Sequence, residues 1–366
     1  MPYDPHREDY LRLSLRFAHT LDNQTPDAAE HAFANFGRRF ARERDSLPQT
    51  DSDRAFRLVA DAAVLIDYKL PFTSPEQADD IAVRGQKLLS EALSLDPNSP
   101  DANRMLAASE QPSFDAFYSY LKVRVDKVRS YCEKQRSLIA QDKNSQRTSL
   151  AMNITMRPYM RWIASMASNA VICGRNREAL GLWAKAIRAD SADEAGVRFT
   201  VALALTKLED EQGLDKLVHD CRPLPTSRDG LDPWTLLCRA ALAYKRYDLN
   251  AATTALKVLI SNYPHACAAL IRQRELPDGV FARLATPPMS EDELIVAVSE
   301  CTVLLQEGEE ENGRGPFGLW VADQATKLAS PWELDEVKEA QRQVDESLAH
   351  EREEDQPGND EGGSRK

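Results

Sequence analysis

Hydrophobic residues recur at three- and four-residue steps along most of this chain, which is the period of an amphipathic α-helix. The segments 54–68, 79–95 and 113–142 show the pattern clearly. Pro97 and Pro264 each follow such a segment, and proline ends a helix because it lacks an N–H and clashes with the preceding turn. The alternation of polar and apolar residues that marks β-strands is nearly absent. The pattern therefore predicts an all-α protein.

The clearest pair of helices lies at residues 163–187. It carries a glycine at the predicted turn and alanine-sized or aromatic residues at the predicted helix contacts: Gly174, Ala167, Ala179, Trp183 and Ala186. Two antiparallel helices approach closely only where small residues face each other, and an aromatic then fills the gap beside them. Comparable units begin near residues 160, 194 and 232, spacings of about one tetratricopeptide (TPR) period of 34 residues with a short insertion. The spacing predicts a TPR-like, right-handed helical repeat solenoid.

The segments divide the chain into four predicted parts. We expect a cap of helices over 1–50, TPR-like repeats over 51–270, a helical extension over 271–349 and an acidic tail over 350–366. The tail has no apolar residues to anchor it, so it is expected to be disordered. The cap carries a basic amphipathic helix, which we interpret as the solvated outer face of a terminal repeat.

Charge and composition argue against several classes of function. The 366 residues carry a formal net charge of −12, which argues against general binding to a nucleic-acid backbone. No run approaches the roughly 18 apolar residues that cross a bilayer, and the N-terminus has no apolar signal. We therefore expect a cytoplasmic protein without membrane contact. Its six cysteines are scattered, with neither CxxC pairs nor zinc-finger spacing, so no metal site is predicted.

No motif points to catalysis. Residues 313–318 satisfy GxGxxG as a string, but three glutamates at 309–311 precede them where a nucleotide-binding fold has a strand. A phosphate would be repelled there, so dinucleotide binding is rejected. HExxH, GxSxG and Walker A strings are missing, and the histidines are isolated in sequence. We predict a protein that is not an enzyme and holds no cofactor.

The positive functional signal is the inner face of the predicted repeats. In a TPR the exposed positions of each first helix line a concave groove. The predicted groove residues are Arg161, Asn169, Arg198, Trp234, Tyr244 and Lys245. Cations, amides and aromatics in one groove suit an acidic peptide or a carboxylate terminus. The alternative is that the aromatics pack against the adjacent repeat and that the arginines pair with nearby glutamates.

Over roughly residues 79–329 a set of landmarks occurs in a characteristic order. They are Ala92 to Asn98 with Asp101-Ala102, Arg157-Pro158-Tyr159-Met160, Gly174-Arg175 with Glu178-Ala179-Leu180, Gly196-Val197-Arg198-Phe199, and Pro264-His265 followed by Ala269-Leu270. In these the chain resembles the TPR-type family of the suppressor-of-tumorigenicity-seven protein and its bacterial relatives. It departs from that family at Tyr263 and Ala266 and lacks the membrane-spanning N-terminus of the animal members. The resemblance implies a helical-repeat fold without known enzymatic activity.

Two hypotheses follow. The first is a non-enzymatic scaffold that binds another protein or a peptide through the concave face of its repeats. The alternative is a regulatory or ligand-sensing module that binds a small acidic molecule or controls a partner factor. An apolar stripe along residues 121–139 packs either inside the protein or on a second copy, so a homo-oligomer stays open.

Overall fold

The computed structural model describes residues 4–139, 144–276, 279–309 and 313–354. Within these ranges the chain forms 17 α-helices and no β-strand, which confirms the all-α prediction. The helices are α1 (Pro5–His19), α2 (Pro26–Glu43), α3 (Asp51–Ala63), α4 (Pro75–Leu95), α5 (Pro100–Glu110), α6 (Phe114–Ile139), α7 (Ser145–Ile172), α8 (Asn176–Ala189), α9 (Val197–Lys207), α10 (Glu211–Asp220), α11 (Pro233–Lys245), α12 (Leu249–Asn262), α13 (Ala266–Arg272), α14 (Glu291–Glu300), α15 (Thr302–Leu305), α16 (Pro316–Leu328) and α17 (Pro331–Glu354).

Successive helices pack in pairs, because short connections return each helix onto the one before it. Helix α3 contacts α4, α6 contacts α7, and α11 contacts α12. Other contacts join the pairs, since α7 also lies against α8 and α9, and α9 lies against α11. Helix α7 additionally contacts α1 and α5. Helix α7 therefore contacts helices that are distant in the chain as well as the two that adjoin it.

The contact between α7 and α8 has the small residues that the sequence predicted there. Ala167 on α7 and Ala179 on α8 are fully buried, and Ala186 is 1% exposed. Gly174 in the turn has a φ of +72°, a left-handed conformation that costs glycine little and other residues more. The predicted packing of this one pair is confirmed.

One hydrophobic core extends along the helices from Ala55 on α3 to Ala325 on α16. A second, smaller core joins α1 to α2 around Leu13, Phe36 and Leu47. Among the described helices, none combines the length and the apolar composition that a bilayer crossing requires.

Four helix boundaries differ from the sequence-based expectation. Helix α7 begins at Ser145 and passes through Pro158, whereas the sequence placed the start of this unit near residue 160. Helix α3 passes into a π-helical turn at Val64–Lys69 instead of continuing as a regular helix to 68. Apolar residues also recur with a helical period over 291–307, which predicts one helix there, but the chain forms two helices, α14 and α15, separated at Cys301. Helix α17 continues to Glu354, so its end lies inside the predicted tail. The rest of that tail, 355–366, lies outside the described residues.

The connection between α13 and α14 returns to the N-terminal half of the chain. We call residues 279–283 of this connection the crossing segment. The carboxylate of Asp67, in the π-helical turn, accepts the backbone N–H groups of Val280 and Phe281 at 2.7 and 2.8 Å. At the other end of the segment, Arg283 Nη1 donates to the carbonyl of Gly196 at 2.6 Å. The crossing segment is thus tied to both α3 and α9.

We expect two glycine-to-alanine substitutions to change the free energy of unfolding in opposite directions. Gly181 lies on the exposed face of α8, and an added Cβ would meet nothing within 4 Å. Gly181→Ala should stabilise the protein by about 0.5–1 kcal/mol, because alanine loses less backbone entropy in a helix. Gly196 has a φ of +66°, and its Cβ would lie 2.2 Å from Arg283 Nη1. Gly196→Ala should destabilise the protein by at least about 1–2 kcal/mol.

Urea unfolding followed by circular dichroism measures both values. Equal changes of the same sign would contradict the assigned backbone conformation of Gly196.

Candidate functional site

A cleft of about 630 Å³ lies between α5, the start of α6, α7, α9 and the crossing segment. Phe117 and Val280 contribute apolar wall, and Phe114 lines the cleft while 60% exposed. Serine, threonine, asparagine and arginine side chains supply the polar wall. A volume of this size falls in the range of about 300–1,000 Å³ that small-molecule sites occupy.

Four charged side chains, each at most 2% exposed, meet beside the cleft. We call Glu8, Asp101, Arg104 and Arg161 the buried ion network. Arg161 Nη1 donates to Glu8 Oε2 at 2.9 Å, and its Nε and Nη2 donate to the Asp101 carboxylate at 2.8 and 2.5 Å. Arg104 Nη2 lies 3.4 Å from Asp101 Oδ1. The network joins α1, α5 and α7.

The charges in this network stabilise one another. Burial alone would raise the pKa of the Glu8 and Asp101 carboxyls, but the Arg161 guanidinium and neighbouring arginines outweigh it and hold both pKa values below their ordinary range. Burial alone would lower the pKa of Arg161, but the two carboxylates outweigh it and raise that pKa. The carboxylates and Arg161 therefore stay ionised at neutral pH.

Arg104 and Arg161 also hold the crossing segment against the helices. Arg104 Nη2 donates to the carbonyl of Phe281 at 2.6 Å, and its Nη1 donates to the carbonyl of Val280. The Arg161 guanidinium lies over the Phe281 ring, 4.3 Å from its centroid. Cations attract the face of an aromatic ring. The crossing segment is therefore a fixed wall of the cleft.

Two buried polar atoms on cleft residues have no hydrogen-bond partner among the described residues. They are Arg104 Nε and Asn169 Oδ1. Both side chains bind Ser165, since Arg104 Nη1 donates to its hydroxyl at 3.0 Å and Asn169 Nδ2 donates to its carbonyl at 2.8 Å. A buried polar atom without a partner costs about 1–3 kcal/mol. Both atoms are shielded from solvent by the surrounding protein, so neither lies open to the cleft.

The structure brings two of the six predicted groove residues, Arg161 and Asn169, to this cleft. Arg198 Nη1 pairs instead with the buried Asp193 at 2.8 Å, outside the cleft lining. Lys245 pairs with Glu307 at 2.9 Å.

The two predicted groove aromatics also make internal contacts. Trp234 is 3% exposed, its ring stacks on Phe199 at 4.1 Å, and its Nε1 donates to Glu300 at 2.7 Å. The half-buried ring of Tyr244 lies 5.2 Å from that of Trp320. These contacts, and the carboxylate partners of Arg161 and Arg198, agree with the alternative that the sequence left open, in which the aromatics and arginines of the predicted groove make contacts within the protein. Partner binding by these residues stays a prediction.

Sequence reasoning missed most of the site. Asp101 and Arg104 stand three residues apart, a spacing that places them on one helix face, and this was a usable signal. Glu8, Phe281 and Arg283 come from segments distant in the chain, and no local pattern links them to α7.

One group of side chains has donor atoms close enough to hold a metal ion, within the ranges that the structure covers. His265, Glu291 and Glu336 offer atoms within 4.8 Å of one another. His265 Nδ1 lies 3.6 Å from the Glu291 carboxylate and 3.3 Å from that of Glu336. All three are partly exposed and lie outside the cleft, and the same geometry forms an ion pair when the histidine is protonated.

A second cleft of about 700 Å³ borders the other side of the buried ion network. It lies between α1, α3, α6 and α7, and Asp101 and Arg12 both line it. Arg12 Nη2 pairs with Glu8 at 2.9 Å, and its guanidinium lies 3.9 Å from the centroid of Phe56. The network therefore separates two clefts.

Removal of the central cation should unfold much of this arrangement. Arg161→Met keeps an unbranched apolar stem but leaves Glu8 and Asp101 without their main partner, so we expect the free energy of unfolding to fall by about 3–5 kcal/mol. Arg84→Met is the control, because Arg84 forms an exposed pair with Asp80 and should change stability little. Chemical denaturation followed by circular dichroism compares them. Similar small losses in both variants would refute the central role of Arg161.

Asp67 gives a prediction about pH. Burial raises its pKa to about 6 from an ordinary value of 3.8, even though the N–H groups of Phe281 and Val280 act to lower it. The folded protein therefore favours the protonated carboxyl. Its contribution to stability is fully present below pH 3.8 and is lost as the pH rises through about 6.

Unfolding free energies of the wild type and of Asp67→Asn, compared between about pH 4 and 7, test this because asparagine does not titrate. The stability of the wild type relative to the variant should decrease as the pH rises. An increase would mean that the folded state favours the carboxylate.

Comparison of the chain with protein-family models, with curated proteins and with solved structures gives no match. The family resemblance seen in the sequence therefore stays a prediction. The function of the protein has to be inferred from the cleft itself.

Proposed function

We propose that this protein is a non-enzymatic ligand-binding module that holds a small organic molecule in the cleft between α5, α7, α9 and the crossing segment. The observation that carries the proposal is the cleft itself: about 630 Å³ of space whose lining combines the apolar Phe117 and Val280 with the polar side chains of Ser165, Ser168 and Thr200. Such a combination of apolar wall and few convergent polar groups is typical of small-molecule sites.

The fixed walls of the cleft support this proposal. Asp67 and Arg104 hold the backbone of the crossing segment from two directions, and Arg161 is held by two carboxylates. A ligand would therefore meet a preformed site. Binding to a preformed site costs little conformational entropy, so more of the contact energy appears as affinity.

We further propose that the helix pairs form a TPR-like array and that the crossing segment occupies part of its inner face. In such an array the first helices of successive pairs, here α7, α9 and α11, line one side. Phe281 contacts Arg161 on α7, while Arg283 contacts Thr200 on α9 and Trp234 on α11. The chain's own segment thus lies along the helices at which the sequence predicted a partner peptide.

A protein-binding scaffold is the second candidate. Tyr247 is 90% exposed and Val123 is 81% exposed, and both lie outside the cleft lining. A protein partner on such a surface would leave the cleft free for a ligand. We also propose that the protein is cytoplasmic.

The proposal predicts that blocking the cleft abolishes small-molecule binding. Ala164 lines the cleft on α7, so Ala164→Phe should fill part of it. Ala184→Phe is the matched control, because Ala184 lies on the exposed face of α8. A set of small aromatic fragments of mixed charge is tested by saturation-transfer NMR against the wild type and both variants.

At least one fragment should bind the wild type and the Ala184→Phe variant and lose its signal with Ala164→Phe. If every fragment that binds is indifferent to Ala164→Phe, or none binds the wild type, the cleft is not a small-molecule site and the proposal fails.

A further inference from the structure

We infer that His265, Glu291 and Glu336 form a binding site for a divalent transition-metal ion, and that zinc is the ion that suits the site best. The three residues lie outside the cleft, so the inference stands apart from the proposed function. It follows from the chemistry of the donor groups, the distances between them and the small number of contacts that compete for them.

The three donors come from three separate parts of the chain. His265 directly precedes α13, Glu291 begins α14, and Glu336 lies in the second turn of α17. One imidazole nitrogen with two carboxylate oxygens is a mixed donor set, which zinc and its neighbours in the first transition row accept. Mg²⁺ and Ca²⁺ prefer oxygen donors, and more of them. The histidine therefore sets this group apart from the acidic clusters that are common on protein surfaces.

The donor atoms already lie near the spacing that zinc requires. Zinc binds nitrogen and oxygen ligands at about 2.0–2.2 Å in a tetrahedron, which places two ligands about 3.3–3.6 Å apart. His265 Nδ1 lies 3.3 Å from the Glu336 carboxylate and 3.6 Å from that of Glu291, and no two of the three donor atoms are more than 4.8 Å apart. The side chains are 33–41% exposed, so an ion in solvent reaches them and small side-chain rotations complete the geometry.

The two carboxylates have few competing contacts. Within the ranges that the structure describes, their ion-pair partner is His265, and no other hydrogen bond or ion pair to either carboxylate is formed. Arg272 and Arg274 line a small cavity of about 50 Å³ beside both glutamates, but neither guanidinium is paired with them. The carboxylate oxygens are therefore available to an ion once the imidazole is neutral.

Glu333 adds negative charge near the three donors without competing for the ion. It is close enough to His265 for the two groups to interact electrostatically. Its Oε1 accepts the N–H of Cys267 at 3.2 Å, and its Oε2 accepts hydrogen bonds from the N–H and the hydroxyl of Ser330 at 3.0 and 2.7 Å. Because its oxygens are occupied, the fourth position of a tetrahedral zinc would go to water.

A bound ion would brace the C-terminal helices. Helix α17 packs on α13, and α13 packs on α14. With one ligand beside or on each of these helices, the ion would hold α17 against both of the others. An ion that binds the folded state more tightly than the unfolded chain also raises the temperature of unfolding.

Titration calorimetry of the full-length protein with zinc chloride, after removal of metals by a chelator, tests the inference. We expect one zinc ion to bind per chain. His265→Ala should weaken the affinity at least about tenfold, because loss of a ligand costs no less than loss of a contact that supports one. His219→Ala is the matched control, since His219 is also exposed and lies outside the group. It should leave the zinc affinity unchanged.

The carboxylates have their own matched variants. Glu291→Gln and Glu336→Gln should each weaken zinc binding at least about tenfold. Glu339→Gln should not, although Glu339 lies on the same helix as Glu336, because it forms an exposed pair with Arg342. Millimolar Mg²⁺ should leave zinc bound, since Mg²⁺ prefers six oxygen ligands.

A second measurement uses Co²⁺, which replaces zinc in such sites, absorbs visible light strongly when tetrahedral and quenches the fluorescence of nearby tryptophan. The ring centroid of Trp332 lies 4.8 Å from that of His265. Co²⁺ should therefore quench tryptophan fluorescence, and Trp332→Phe should remove most of the quenching while zinc still binds.

The inference is overturned if the wild type binds no zinc, or if His265→Ala binds zinc as tightly as the wild type does. Displacement of zinc by millimolar Mg²⁺ would overturn the assignment to a transition metal. Quenching by Co²⁺ that is unchanged in Trp332→Phe would place the bound ion elsewhere and so overturn the site.

Discussion

The rest of the structure depends on one buried cation, the guanidinium of Arg161, held between the carboxylates of Glu8 and Asp101. Bringing these charges out of water is expensive, and only close mutual contact offsets that cost. The carboxylates come from α1 and α5 and the cation comes from α7, so the three helices have to meet in one arrangement. A shift of any one of them would leave an uncompensated charge in the interior. The network therefore constrains how α1, α5 and α7 pack against one another.

The same network gives the cleft its chemical character. Its wall contains several arginines, and buried or partly buried carboxylates lie beside them. The network also borders a second cleft on its far side. Arg12 and Arg161 each pair with Glu8 and each lie over a phenylalanine, Phe56 and Phe281 respectively, whose rings contact each other at 6.2 Å. The walls of the two clefts are thus parts of one packed unit.

The crossing segment completes the site by long-range contacts. Phe281 is hydrogen-bonded to Asp67, in the π-helical turn after α3, and to the side chain of Arg104. Both partners are more than 170 residues away in the chain. A regular helix through Asp67 would point its carboxylate differently, so the widened turn matters for holding the crossing segment. π-helical turns inside α-helices are frequent at functional sites. The segment contacts residues on α7, α9 and α11.

The sequence by itself determined the helical class, most helix positions and the close α7–α8 contact, because these follow from local periodicity, proline and glycine positions and alanine-sized residues such as Ala167 and Ala179. It also placed Arg161 and Asn169 on a predicted helix, but as exposed groove residues, whereas both are buried in the structure. Only the tertiary structure decided that Arg161 is paired with Glu8 and Asp101 and that Asn169 faces a cleft closed by Phe281. Those facts depend on which distant segments meet, and neither helical period nor composition encodes the partner of a buried charge.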